Sequence, residues 1–156
     1  MDQGSLKRAD DINWVALDPG ETTGWATFDS IGQVIEWGQF KQKEQLEWLK
    51  LLISTPPNLK GVIYEDYVNF GFKQQKRWSR NQTSKNIGSI ETMCDLRGIP
   101  YYKQPANIKA IGYKWAGLGA APSNHDISHQ YDAVVHGVYW LTNNKIRSPM
   151  LNVPKG

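Results

Sequence analysis

The sequence predicts an α/β domain in which a mixed five-stranded sheet is flanked by helices. Three apolar segments come first and are joined by short breaks that contain glycine, as in strands connected by tight turns. Helical and strand-like patterns then alternate, which implies a mixed sheet with helices packed on its faces. With 156 residues, 40% of them hydrophobic, the chain is long enough to bury the core of one such domain without disulfides or a structural metal.

The first half of the chain supplies four of the five strands. Gly20 and Gly32 mark the breaks between the first three. A helix is predicted over 41–54, where leucine and isoleucine recur at helical spacing, and Pro56-Pro57 ends it. The predicted strands of this half are 13–17, 24–28, 33–40 and 61–65.

The second half alternates helices with the last strand. Residues 67–81 are aromatic and basic without clear periodicity, so we expect a loop or an irregular entrance to a helix there. The region expected to fold as one domain is 1–144, followed by a proline-containing C-terminal tail at 145–156. The predicted elements of this half are helices at 83–97 and 126–143, a short helix within 104–117, and a strand at 99–103.

Charge is distributed unevenly along the chain. Residues 1–66 contain six lysines and arginines against eleven carboxylates, a net charge of −5, whereas residues 67–125 contain nine against two, a net charge of +7. This asymmetry indicates a polyanionic partner, although lysines that merely solvate exposed helices would give the same count.

Cysteine content and hydropathy indicate the compartment. Cys94 is the only cysteine, which excludes a disulfide framework and a cysteine-rich zinc site and favours a reducing environment. The sequence has no apolar run of 18 residues and no apolar stretch of a signal peptide near its start. We therefore expect a soluble, cytoplasmic protein that is not associated with a membrane.

Four ionisable residues occupy positions from which they can face a common point. Asp18 ends the first predicted strand, Glu65 ends the fourth, and His129 and Asp132 lie three residues apart on the last helix. Clustered carboxylates repel one another, and divalent cations are their usual compensation. Two Mg²⁺ or Mn²⁺ ions in an oxygen-rich site would activate water and stabilise the leaving oxygen in phosphodiester hydrolysis.

Three segments resemble motifs of the RuvC-type Holliday junction resolvases. Leu17-Asp18-Pro19-Gly20-Glu21-Thr22-Thr23-Gly24-Trp25-Ala26 resembles the opening motif, in which the first strand ends in Asp-Pro-Gly and a Thr-Gly pair begins the next. Val62-Ile63-Tyr64-Glu65 resembles the fourth strand, and His129-Gln130-Tyr131-Asp132-Ala133 resembles the last helix. Order and approximate spacing agree over residues 14–141, while the sequence between the motifs is divergent.

The resemblance implies an RNase H-like fold, two Mg²⁺ ions that Mn²⁺ can replace, and symmetric nicking of four-way DNA junctions by a homodimer in a bacterial or phage-infected cell. Asp18, Glu65 and Asp132 match the metal-binding carboxylates of the family. His129 stands where the family commonly has Asp and sometimes His, so it would bind metal or relay a proton, the alternative being a histidine on the helix surface. Asp126 is a further candidate for the fourth carboxylate or, being near the helix start, a cap.

Basic and aromatic residues after Glu65 are the candidate DNA contacts. Lysine and arginine side chains neutralise phosphates, and interleaved aromatic rings stack on or wedge between bases unpaired at a junction. A two-fold junction suits a two-fold dimer, and the helix at 83–97 is the candidate interface, although its apolar stripe could equally belong to the core. The candidate DNA-binding residues are Tyr67, Phe70, Lys73, Lys76, Arg77, Arg80, Lys85, Lys103 and Lys109.

Three alternatives remain open on the sequence alone. A nuclease of the same fold could act on RNA–DNA hybrids, flaps or other branches. A protein of this fold could also bind nucleic acid without cleaving it. The glycine turn after Asp18 is, in addition, similar to phosphate loops of actin-like and sugar-kinase ATPases, although those folds need two such domains.

Overall fold

The central sheet has five strands in the order β3-β2-β1-β4-β5. The computed structural model describes residues 5–66, 77–119 and 125–154, and for residues 77–82 and 125–127 it describes the backbone alone. Strands β1 and β2 and strands β2 and β3 pair antiparallel, whereas β4 lies parallel to both β1 and β5. The strands are β1 (Trp14–Asp18), β2 (Thr22–Phe28), β3 (Val34–Lys41), β4 (Gly61–Glu65) and β5 (Tyr101–Gln104).

The predicted mixed five-stranded sheet is therefore confirmed, and β4 coincides with its predicted range. Every residue of β1 is buried, because helices cover both faces of the sheet. Side chains of β1 alternate between the two cores. Val15 and Leu17 enter the core under the first two helices, and Trp14 and Ala16 enter the core under the last two.

The helices differ in detail from the predicted ones. They are α1 (Gln45–Leu49), α2 (Arg77–Arg97), α3 (Lys109–Trp115) and α4 (His125–Asn143). The single helix expected over 41–54 is divided, because a 3-10 turn precedes α1 and a π-helical turn at Lys50–Ser54 continues it. Helix α2 begins six residues before the predicted start, since its first turns are polar and carry no apolar periodicity.

The segment after α4 returns to the sheet. Arg147 is only 2% exposed and donates hydrogen bonds to the backbone oxygens of Gly32 and Leu151. Gly32 has a φ of +80°, and a side chain there would collide with the Cβ of Arg147. Part of the region predicted as a C-terminal tail is thus held against the turn between β2 and β3. Within the described residues, no helix has the length and apolar character needed to cross a membrane.

Candidate active site

Two acidic residues end neighbouring parallel strands. Asp18 is the last residue of β1, Glu65 is the last residue of β4, and these strands pair in parallel. Their carboxyl ends therefore meet at the edge of the sheet where sites form in α/β proteins. Asp18 is 5% exposed, and the side chains of the two acids interact through a hydrogen bond.

Helix α4 brings two more predicted site residues to this edge. His129 Nδ1 lies 3.3 Å from Asp18 Oδ2, and Asp132 lies three residues further along the same helix. Gly24, the register partner of Asp18 on β2, allows the helix to come this close. A Cβ at Gly24 would stand 1.8 Å from the backbone oxygen of His129. The glycine of the motif's Thr-Gly pair is thus a requirement of helix-on-sheet packing at the site.

Helix α3 places a lysine and a tyrosine among the carboxylates. Lys109 Nζ lies 3.2 Å from Glu65 Oε1 and 3.3 Å from Asp132 Oδ2. One turn later, the Tyr113 hydroxyl donates a 2.7 Å hydrogen bond to Asp132 Oδ1. Both oxygens of Asp132 are therefore held by α3. We refer to Asp18, Glu65, Lys109, His129 and Asp132 as the carboxylate cluster.

Burial dominates the electrostatics of the carboxylate cluster. It raises the pKa of Asp18 against the opposing effects of Glu65 and Lys109, and burial together with contact with Asp18 raises the pKa of Glu65 to about 8. Burial also opposes ionisation of Lys109, but Asp18, Glu65 and Asp132 outweigh it and raise the lysine pKa. The pKa of His129 is lowered, chiefly by burial, so its ring is mostly neutral at pH 7. Lys109 is the charged cation of the cluster.

Two hydrogen bonds hold the turn after β1, one within the turn and one from helix α2. Thr23 Oγ1 lies 3.4 Å from the Gly20 amide, from which it accepts a hydrogen bond, and Asn86 Nδ2 donates to the Gly20 oxygen at 2.5 Å. Asn86 is buried, and through its hydrogen bond α2 positions the turn that follows Asp18. The bond to Thr23 occupies the Gly20 amide, one of the donors that a phosphate-cradling turn would leave open.

A second buried layer lies beneath Glu65. His136 on α4 is fully buried, and its Nε2 lies 3.9 Å from Glu65 Oε1. Gln104, the last residue of β5, contacts the His136 ring and donates to the His136 oxygen. Burial lowers the pKa of His136 to about 4, so this imidazole is neutral at pH 7.

The donor chemistry of the carboxylate cluster suits a hard divalent cation. Three carboxylates and one imidazole are ligands that Mg²⁺ and Mn²⁺ accept. In the described part of the chain, no three His, Cys, Asp or Glu side chains stand close enough together to hold a metal ion as they are. Lys109 Nζ lies between Glu65 and Asp132 and supplies the positive charge there. The cluster fits a divalent cation only if the cation displaces Lys109.

The predicted DNA contacts are distributed over several elements. Lys85 is exposed on α2 beside Asn86, and Lys103 is exposed on β5 beside Gln104, so each flanks a residue that supports the site. Lys109 is half-buried within the carboxylate cluster. Among the other predicted contacts and candidates, Tyr67, Phe70, Lys73 and Lys76 lie outside the described residues, and Arg77, Arg80 and Asp126 lie in helices but their side chains are not described.

Sequence reasoning placed the acids but missed their supports. Tyr113, Asn86, Gln104 and His136 were not predicted as site residues. The one available signal was the spacing of Lys109 and Tyr113, which are four residues apart and so share a helical face. The other three belong to elements whose packing is not visible in the sequence.

Comparison with solved structures identifies the fold. Thermus thermophilus RuvC in complex with a Holliday junction substrate matches with a TM-score of 0.59 at 15% sequence identity, covering 85% of this chain and 94% of that one. The chain has the RNase H-like fold of RuvC. A second Thermus thermophilus RuvC structure matches with a TM-score of 0.57 at 14% identity, covering 85% of this chain and 96% of that one.

The other comparisons are weaker. The yeast mitochondrial Holliday junction resolvase matches with a TM-score of 0.47 at 10% identity, covering 88% of this chain and 63% of that one. No family model and no curated protein matches the sequence.

Proposed function

We propose that this chain is a metal-dependent endodeoxyribonuclease that resolves four-way DNA junctions. The observation that carries the proposal is the convergence of Asp18, Glu65, His129 and Asp132 at one edge of an RNase H-like sheet. The fold is shared with RuvC, one of whose structures contains a Holliday junction substrate. Three carboxylates at the same edge of the sheet suit phosphodiester hydrolysis assisted by divalent cations.

Asp18, Glu65, Asp132 and His129 would hold two Mg²⁺ ions, for which Mn²⁺ would substitute. Bound there, the ions supply an activated water and stabilise the leaving oxygen of an in-line displacement. The protein's own share is orientation. Tyr113 holds Asp132 by its Oδ1 atom, and the hydrogen bond from Asn86 to the turn after β1 holds the backbone beside Asp18.

Lys109 and His129 have roles that follow from their charge states. Once a cation compensates the carboxylates, the Lys109 ammonium is free to bind a phosphate oxygen of the scissile strand, in keeping with its predicted role as a DNA contact. His129 is mostly neutral at pH 7, so its ring can take up a proton during attack. The position where RuvC-type enzymes commonly have Asp would then hold a residue that both orients Asp18 and carries protons.

DNA would lie across the positively charged part of the chain. The net charge of +7 over residues 67–125 supports phosphate binding there, and Lys85 and Lys103, two of its lysines, are exposed. We place the wedge that opens the crossover at Tyr67 or Phe70. Because a four-way junction is two-fold symmetric, a homodimer with one site per protomer would nick two strands symmetrically.

The test is cleavage of a labelled synthetic four-way junction alongside the matching linear duplex, RNA–DNA hybrid and flap. Each substrate is incubated with Mg²⁺, Mn²⁺ or EDTA. We expect paired symmetric nicks in the junction only, and none in EDTA. Cleavage of hybrids or flaps as well as the junction would replace the resolvase with a broader nuclease of the same fold. No cleavage of any substrate would favour a binding protein.

Asp18→Asn tests the site directly. We expect the variant to lose cleavage and to keep junction binding near normal, because the amide preserves shape but not charge. Asp10→Asn is the matched control, since Asp10 is exposed and precedes the opposite end of β1. Full activity in Asp18→Asn, or equal loss in both variants, would remove Asp18 from the metal site.

A further inference from the structure

His136 presents a buried ring nitrogen, Nε2, towards Glu65. The residue is fully buried on α4, one turn after Asp132, and its Nε2 makes no hydrogen bond among the described residues. A buried polar atom without a partner destabilises the fold, so such atoms are rare and call for an explanation. The nearest acidic oxygen is Glu65 Oε1, at 3.9 Å from Nε2.

Gln104 determines which nitrogen of this ring carries the proton. Its Nε2 lies 2.8 Å from the backbone oxygen of His136 and 3.3 Å from His136 Nδ1. The reversed amide would set its oxygen against the backbone oxygen, two acceptors in contact, so the nitrogen belongs there. An amide nitrogen only donates, and Nδ1 must therefore accept. In the neutral ring, the proton is then on Nε2, directed towards Glu65.

We propose that His136 is a positioning residue that holds the Glu65 carboxylate in orientation for metal binding through its Nε2 proton. The inference rests on the proposed metal-dependent function. Lys109 Nζ contacts Glu65 Oε1 at 3.2 Å, so the lysine ammonium and His136 Nε2 face the same oxygen. A shift of Glu65 by less than about 1 Å would bring Nε2 within hydrogen-bond reach. Glu65 would make this shift when a cation displaces Lys109.

Residues that hydrogen-bond to a metal ligand and orient it affect the affinity for the metal, although they do not contact the metal themselves. Gln104 and His136 form such a support, which begins at the end of β5, passes through the ring and ends at Glu65. The support comes from strands and a helix packed in the core, where the ring orientation is fixed. This support gives a role to a histidine that lies among the buried apolar residues of α4.

The test compares two replacements of similar size. His136→Leu removes the donor, whereas His136→Gln keeps an N–H group near the position of Nε2. Mn²⁺ binding is measured by titration calorimetry on the full chain, and junction cleavage is followed in parallel. We expect His136→Leu to weaken Mn²⁺ binding by about 10- to 100-fold. His136→Gln is expected to recover most of that loss.

The tautomer is read in the metal-free wild-type protein from the ¹⁵N shifts of the His136 ring. A proton on Nδ1 would overturn the inference, as would unchanged Mn²⁺ affinity in His136→Leu or equal losses in both variants. If the wild-type protein cleaves the junction and the two variants behave like it, only the positioning role fails. If the wild-type protein binds no Mn²⁺ and cleaves nothing, the proposed function fails and the positioning role with it.

Discussion

Replacing Lys109 with methionine removes the positive charge of the carboxylate cluster while keeping most of the length of the side chain. Lys109 Nζ contacts Glu65 and Asp132 at 3.2 and 3.3 Å, and the two acidic side chains are 15% and 14% exposed. Removing one partner of a buried ion pair costs about 3–5 kcal/mol. Because the Lys109 side chain is 32% exposed, solvent screens part of the interaction, and we expect a loss of about 2–3 kcal/mol.

A thermal melt in EDTA measures this loss. For a domain of this size, 1 kcal/mol corresponds to about 2–4 °C, so Lys109→Met should melt about 5–10 °C below the wild-type protein. Mn²⁺ should then stabilise the variant more than the wild type, because it no longer competes with the ammonium for the carboxylates. At a Mn²⁺ concentration 100 times the dissociation constant, the gain would be about 2.7 kcal/mol, enough to offset the substitution.

Lys114→Met is the matched control, since Lys114 is exposed on the same helix. Its effect should stay within about 0.5 kcal/mol, with no change in the response to Mn²⁺. The reasoning is refuted if Lys109→Met melts in EDTA with the wild type. It is also refuted if Mn²⁺ stabilises the wild type more than the variant, since Lys109 would then assist the metal and not compete with it.

Three further predictions concern packing, pH and DNA binding. Gly24→Ala forces a Cβ into the backbone of α4 and should cost about 1–3 kcal/mol in a melt, whereas Gly88→Ala, with nothing within 4 Å of the new Cβ, should be neutral or stabilising; equal effects would contradict the close contact. In EDTA, the free energy of unfolding should fall as pH rises from 6.5 to 8. Protonated Glu65, whose pKa is about 8 when folded and 4.5 ordinarily, stabilises the fold fully below pH 4.5 and loses this effect as pH passes 8, whereas His129 and His136, whose pKa values are lowered from 6.5, add stability only as pH rises towards 6.5. Melts between pH 6.5 and 8 check this, and a rise in stability over that range would be the wrong sign. Lys76→Ala combined with Arg77→Ala should weaken junction binding and reduce the slope of log affinity against log salt by about 1.8. An unchanged slope would move the DNA surface elsewhere.

The fold was predictable because its strands carry local signals. Each of the five strands is an apolar or alternating segment bounded by glycine, proline or polar residues, and the structure has all five within a few residues of their predicted bounds. The helix boundaries were less accurate. The first turns of helix α2, from Arg77, show no apolar period, and the leucine and isoleucine spacing over 41–54 does not distinguish the three kinds of helical turn found there.

The acids of the site were predictable for a similar reason. Asp18 and Glu65 end strands that are evident in the sequence, and His129 and Asp132 share one face of an evident helix. The partners of these acids were not predictable. Lys109 was expected to contact phosphate, and the structure places it among the carboxylates because α3 packs against α4 beside them.

The sequence by itself determined the element order, the mixed sheet, and which carboxylates stand at strand ends, because these depend on periodicity and turn residues within short windows. Only the tertiary structure decided that Lys109 compensates the carboxylates and that Nε2 of buried His136 faces Glu65. It also decided that Gly24 must lack a side chain. These facts depend on how closely α3, α4 and the sheet approach one another. Such distances are set by the packing of residues remote in sequence, and no local pattern encodes them.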